Sequence, residues 1–278
     1  MRFLKKAYVF LIFAFLYAPI LVLIVFSFNE SKSRGNWTGL TLKWYYELFK
    51  DRQIMSALYY TVLIAVVSSL VATIIGLAAS IGIFSMKKLP QNIMLNINNI
   101  PILNPDIVTG ISLMVLFIFS KLQLGFATLL LSHITFNIPY VILSILPKLK
   151  QMNKHLYEAA LDLGATPFYA FRDVILPEIL PGVITGFLLA FTLSLDDFVI
   201  SFFTTGSGVS NLSIIVYSMA RRGVSPKINA LSTLMFVSVL LLLIIVNIRM
   251  SNDNSERRAK NGKYSKSYGS LSSPDHVA

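Results

Sequence analysis

The chain has 278 residues, 55% of them hydrophobic and only 13% charged, and the apolar residues stand in long blocks, which marks an integral membrane protein and excludes an ordinary soluble domain. With no cysteine, disulfides, a thiol nucleophile and Cys-ligated metal are excluded together. The net charge of +11 comes from basic residues flanking apolar spans, so it points to membrane lipid and not to nucleic acid as partner.

Met1 to Lys6 (MRFLKK) leads into an apolar run, Tyr8–Phe28, of bilayer length that continues into SFNESKSRG. This reads as a first transmembrane helix with its N-terminus inside, not as a cleaved signal peptide. Five more spans are expected at Ala57–Met86, Pro105–Lys121, Gly125–Leu146, Ile179–Thr205 and Ile228–Met250. Six spans put both termini on one side, and 15 of the 24 Lys and Arg fall on that side against nine on the other, so it is the cytoplasmic one. The fold class is therefore an all-α, six-span membrane protein, with a transmembrane domain over 1–250. Residues 251–278 are polar, serine-rich and without apolar periodicity, and read as a disordered cytoplasmic tail.

After the first span, GNWTGLTLKWYYELFKD places Leu42, Tyr45, Tyr46 and Phe49 at helical spacing, which predicts a short helix on the outer membrane surface. The third span, Pro105–Lys121, reaches only about 24 Å at ~1.5 Å per residue and is expected to be shielded inside the bundle. Before it, in NINNIPILNPDIV, Asn104 is a candidate cap and Pro105 a candidate first-turn residue. Asp106, Thr109 and Ser112 follow, and Asp106 suits either a pathway or the helix dipole. Such interrupted short spans tend to line pathways. In the fourth span, His133 suits a hydrogen bond between helices better than a proton relay.

Between spans four and five lies a charged cytoplasmic segment, HLYEAALDLGATPFYAFRDVILPEILPG, from His155 to Gly182. Tyr157 to Leu163 favours helix, Gly164 suits a left-handed C-cap, and Thr166-Pro167 is an N-cap followed by proline at the first helical position. The prediction is helix, sharp turn, then a second helix over about Pro167 to Ile175 with Phe168 and Phe171 on one side. Pro177 and Pro181 then release the chain into span five.

Within the fifth span, SLDDFVISFFTTG interrupts the apolar run with Asp196 and Asp197, ~25 Å along the helix from its cytoplasmic start. Carboxylates there are costly and usually face a pathway or partner, the alternative being a hydrated helix end. Ser194, Asp197, Ser201 and Thr204 make one polar stripe on a regular helix. Asp196 points about 100° away, so Asp197 is the favoured pathway residue unless a break near Ser194 rotates the outer turn. No Lys or Arg lies inside any expected span, so carboxylates with aromatic faces nearby, Phe198, Phe202, Phe203 and Tyr140, suit a cationic passenger. There is no G-x-x-x-x-G-K-[ST], no metal-ligand spacing, and no nucleophile and base; the chain is read as non-catalytic, without metal or cofactor of its own.

Glu158-Ala159-Ala160, three residues, Gly164, nine residues, then Val174-Ile175-Leu176-Pro177 resembles the EAA loop of ATP-binding-cassette importer permeases, with Val174 where isoleucine is usual. The resemblance extends through NPDIVTGISLMVLF, GFATLLLSHITFNIPYVI, SLDDFVISFFTTG and YSMARRGVSPKINALST to the spermidine/putrescine importer permeases, the PotC-like of their two membrane subunits. It implies the type I importer fold in a bacterial cytoplasmic membrane. It implies a homologous second permease, two ATPase subunits that hold ATP and Mg, and an extracytoplasmic polyamine-binding protein as partners. It assigns Glu158, Ala159, Ala160, Gly164, Phe168, Phe171 and Pro177 to coupling with the ATPase. A permease for another solute would share the loop, and a secondary transporter would leave it unexplained.

Overall fold

The computed structural model describes residues 2–31, 36–153, 155–222, 226–241 and 243–244. Every regular element among them is helical: α1 Arg2–Ser27, α2 Lys43–Lys50, α3 Arg52–Ser85, α4 Lys88–Leu103, α5 Asp106–Phe119, α6 Phe126–Gln151 and α7 His155–Asp162 come first. Then follow α8 Pro167–Asp196, α9 Val199–Thr204, α10 Leu212–Arg222 and α11 Pro226–Leu241. Among the described residues four helices are long and apolar enough to cross a bilayer, or five if α4 and α5 count as one bent span. The end of the expected sixth span beyond Ile244 and the tail 251–278 lie outside the described residues.

The core of the unit that runs to Leu231 is a three-helix contact of α3, α6 and α8. Small residues make it possible: Ala65, Ser68, Ser69, Ala72, Gly76 and Ser80 line the buried face of α3, so the backbones approach closely, as packing in lipid requires. At Gly76 a Cβ would sit 2.6 Å from Val141 Cγ1 of α6, so this contact admits no side chain. Val141, Ile145, Leu149, Ile179 and Ala190 complete the cluster. In contrast, α1 buries none of its apolar window in this chain and is tied down at its C-terminal end. There Ser27 Oγ meets Tyr45 Oη at 2.6 Å, and Trp44 Nε1 donates to the Asn29 carbonyl at 2.8 Å. The short outer helix α2 turns Trp44 and Leu48 inward and leaves Tyr46 and Phe49 exposed. Beyond Leu231, α11 runs on to Leu241 with Val237, Leu240 and Leu241 exposed.

Three expectations need correction. The segment before the third span is a helix, α4, and a 103° bend joins it to α5. Asn104 is extended (φ −79°, ψ 143°) and ends α4, while Pro105 stands at the cap position of α5, its carbonyl taking the N–H of Val108 and Thr109; the helix starts one residue later than expected, so Asn104 lies before its cap. α5 is not shielded within this chain, since only Gly110 and Phe117 are buried and Ile107, Val108, Ile111 and Val115 are exposed. Nor do Pro177 and Pro181 mark a fresh start: α8 is continuous from Pro167, because a wide turn over Ala170–Ile175 puts the Leu176 N–H on the Phe171 carbonyl, five residues back. That register change accommodates Pro177, which has no N–H to give.

Candidate functional site

Two breaks in the helical chain carry the candidate residues. The outer one ends α8 at Asp196. Asp197 leaves the helix (φ −59°, ψ 125°) and its carboxylate caps α9, accepting the N–H of Ile200 at 3.3 Å and of Ser201 at 2.8 Å. Its side chain is 8% exposed, and His133 Nε2 stands 3.7 Å from Oδ2 and 2.9 Å from Ser201 Oγ. Asn211 Nδ2 closes the group, donating to the Asp197 carbonyl at 3.1 Å and to Ser201 Oγ at 2.7 Å. The stripe expected on one continuous helix is therefore a buried seam between helices. Ser194 joins Ser68 at 3.0 Å and accepts from Asn137 at 2.7 Å, and Thr128 donates to the Thr204 carbonyl at 2.8 Å. His133 is a bridge in that seam.

Asp196 is the carboxylate that the break leaves exposed, and its backbone carbonyl accepts from Ser213 Oγ at 3.3 Å. Beside it, Phe198 stacks on Tyr217 with centroids 4.4 Å apart and on Phe202 at 5.5 Å, and the Arg221 guanidinium stands 5.9 Å from the Tyr217 ring. Neither Tyr217 nor its helix α10 was foreseen. The available signal was Asn211, whose Oδ1 accepts the Ile214 N–H at 3.0 Å as a helix cap. α5 packs along α9, with Phe203 Cδ2 only 3.1 Å from where a Cβ on Gly110 would be. This places Asp106, exposed in the first turn of α5, on the element next to the break, and within electrostatic range of Tyr140. Thr109 is half-buried and Ser112 exposed.

The inner break is the elbow between α7 and α8. Gly164 has φ +86°, and the Ala165 N–H reaches the Ala160 carbonyl at 3.1 Å while the Gly164 N–H reaches Leu161 at 2.9 Å. Thr166 Oγ1 accepts the Tyr169 N–H at 3.4 Å with Pro167 in the first turn, as the sequence predicts. The elbow is anchored by Ala170, fully buried, yet it projects Leu163 (90% exposed) and Phe168 (67%) outward, with Ala159 exposed and Ala160 and Phe171 half-buried. Glu158 is exposed and meets only His155 Nδ1, at 3.2 Å. The elbow thus presents exposed apolar side chains beside an exposed carboxylate. No cluster of three or more His, Asp or Glu that could hold a metal occurs among the described residues.

A third contact closes the outer face. Asp51 accepts the N–H of Gln53 and Ile54 at the start of α3 and pairs with Lys227 of α11. The hydrogen bond from the Lys227 ammonium, outweighing partial burial, holds the Asp51 carboxyl below the usual carboxylate range.

Comparison with known proteins agrees with this architecture. The family profile described as binding-protein-dependent transport system inner membrane component matches residues 72–260. The spermidine/putrescine transport system permease protein PotC of Escherichia coli (strain K12) is 40% identical over 243 residues, 87% of this chain and 92% of that protein. The putrescine transport system permease protein PotI of the same strain is 38% identical over 252 residues, covering 88% of this chain and 90% of its own. Among solved structures, a permease chain of a bacterial ABC transporter involved in the import of alginate superposes with a TM-score of 0.68 at 17% identity, over 89% of this chain and 94% of that one. That likeness carries the fold alone. The chain belongs to the family of binding-protein-dependent transport system inner membrane components.

Proposed function

We propose that this family member is the permease subunit of an ATP-driven importer that moves polyamines such as spermidine and putrescine across a bacterial cytoplasmic membrane. The observation that carries the reading is the 36–40% identity to permeases named for these solutes, spread over nearly the whole chain. The geometry supports it in sign. The exposed carboxylates of the candidate pathway, Asp196 at the outer break and Asp106 on the neighbouring α5, would attract the ammonium groups of a polyamine, with the Phe198, Phe202 and Tyr217 rings offering cation–π faces beside Asp196. Asp197 has a different part: it holds the break open by capping α9.

The chain does no chemistry itself. ATP and Mg would be bound by two ATPase subunits docked on the elbow, where Leu163 and Phe168 enter a groove and Glu158 meets a basic residue. A homologous second permease would cover the exposed faces of α5 and complete the pathway, and an extracytoplasmic binding protein would deliver the cargo. α8, continuous from the elbow at Pro167 to Asp196, is the rod that carries the motion of ATP hydrolysis to the outer break.

The test is reconstitution of the four kinds of subunit in proteoliposomes with labelled spermidine. ATP-dependent uptake that unlabelled putrescine competes away, and an anionic or neutral solute does not, is the expected result. Uptake without an ATPase subunit, or indifference to polyamines, would overturn the reading.

A further inference from the structure

Beneath the elbow lies a cavity of about 840 Å³ that neither cargo passage nor docking uses. Phe84 from α3, Leu149 and Met152 from α6 and the loop after it, and Ile175 from the wide turn of α8 wall it with apolar surface. Two cations line it, Lys88 in the first turn of α4 and Lys150 in the last turn of α6, and no carboxylate does. A polyamine is thus the wrong sign of ligand, and a small inorganic anion would leave the apolar walls unused. The matching chemistry is an amphiphile with an anionic head and an apolar tail.

Position selects its source. Lys87, Lys88, Lys148 and Lys150 cluster at the inner ends of α3 and α6 and the start of α4, on the side that carries the excess of Lys and Arg, and basic residues there attract anionic headgroups of the cytoplasmic leaflet. α4, which gives Lys88 and Gln91 to the cavity, also exposes Leu89, Ile93 and Ile97, which share one apolar face at helical spacing. We propose that the cavity holds one anionic phospholipid of the inner leaflet, its phosphate between Lys88 and Lys150 and an acyl chain against Phe84 and Leu149. Because Tyr157, Pro167 and Phe171 of the elbow line the same cavity, the bound lipid braces the elbow against α3 and α6.

The absence of native cysteine permits a direct test, since a fluorophore can be placed in the cavity lining by Ser85→Cys. The assembled transporter, its partners made cysteine-free, is put in phosphatidylcholine nanodiscs doped with brominated phosphatidylglycerol or an equal amount of brominated phosphatidylcholine. Stronger quenching by the phosphatidylglycerol is expected. Lys88→Gln with Lys150→Gln should raise the amount needed roughly thirtyfold, equivalent to ~1 kcal/mol per lysine, and Lys88→Arg with Lys150→Arg should not. Equal quenching by both lipids would reveal ordinary boundary lipid and overturn the proposal, as would a preference that survives the glutamine pair. Displacement by inorganic phosphate would assign the lysines to a soluble anion, and a preference that the permeases alone show but the transporter assembled with its ATPase lacks would assign the cavity to that partner. None of these readouts uses a polyamine, so the proposal stands or falls apart from the cargo reading.

Discussion

The outer and inner breaks are built from the same parts, an interrupted helix and a side-chain cap, and they spend their polar groups in opposite ways. At the outer break Asp197, His133, Ser201 and Asn211 bond to one another in a buried knot, with His133 Nδ1 left unpaired, and Asp196 is turned out. At the elbow the caps are local and Leu163, Phe168 and Glu158 face away from the chain, exposed. The difference teaches that the first is held by contacts within this chain, whereas the second leaves its apolar side chains uncovered, as the proposed docking of an ATPase subunit would require.

The sharpest way to break that comparison is to remove the outer cap. Asp197→Ala leaves the buried N–H groups of Ile200 and Ser201 without their acceptor, at about 1–3 kcal/mol each, so a destabilisation of about 4 kcal/mol is expected. The variant should lose most of its membrane yield and thermal stability in detergent, while Asp197→Asn, which keeps one acceptor oxygen, recovers much of both. An Asp197→Ala protein that is stable but inactive in uptake would return Asp197 to the pathway.

At the elbow the expected loss is functional. Nothing lies within 4 Å of a Cβ built on Gly164, so Gly164→Val meets no clash and costs only the strain of φ +86°, about 2 kcal/mol for a β-branched residue. That strain is relieved by opening the turn, which misdirects Leu163 and Phe168. Yield and stability should hold, while ATPase activity stimulated by loaded binding protein collapses; normal stimulation would show that the turn is not what the ATPase grips.

The elbow was legible in the sequence because its determinants are local. Gly164, Thr166 and Pro167 decide the turn within four residues, whatever surrounds them. The outer break was not, because nothing near Asp197 announces that it leaves the helix; what holds it is His133 and Asn211, brought from α6 and from the loop before α10. A helical wheel therefore drew a continuous polar stripe where the chain makes a seam. α4 escaped for another reason: it buries no residue fully, so its apolar and amide positions show no clean amphipathic period, and its two prolines read as loop. The helices α1, α3 and α6, long and apolar, were visible from composition alone.

A subtler separation concerns neighbours. Asp196→Asn removes an exposed charge and none of the capping hydrogen bonds of Asp197, so the protein should assemble normally yet take up spermidine about tenfold more slowly, the kinetic equivalent of ~1.4 kcal/mol. Uptake rates at fixed ATPase and binding-protein concentrations measure it. If Asp196→Asn also destabilises the fold, the two carboxylates are one structural unit and the division of labour at the break disappears.

The smallest expected effect lies where the start of α3 is tied to α11, at the pair of Asp51 with Lys227. Because the Lys227 ammonium and the N–H groups of Ile54 and Gln53 favour the charged carboxylate, the folded pKa of Asp51 lies below its unfolded value of about 3.9. A depressed carboxylate contributes stability that is fully present above the unfolded pKa and is lost as pH falls through the folded one. The side chains are 31% and 21% exposed, so the pair and cap together are worth only about 1 kcal/mol. Asp51→Asn should then melt slightly below wild type at neutral pH, and the gap should close as the pH falls below the unfolded value of about 3.9 and on through the lower folded pKa, where wild-type Asp51 becomes protonated and equally neutral. High salt should narrow the gap at neutral pH as well, because a partly exposed pair is screened. A gap that persists unchanged at the lowest pH would mean that Asp51 stabilises α3 by shape and not by charge, and the outer face would then join the elbow as a region whose electrostatics serve something other than the fold.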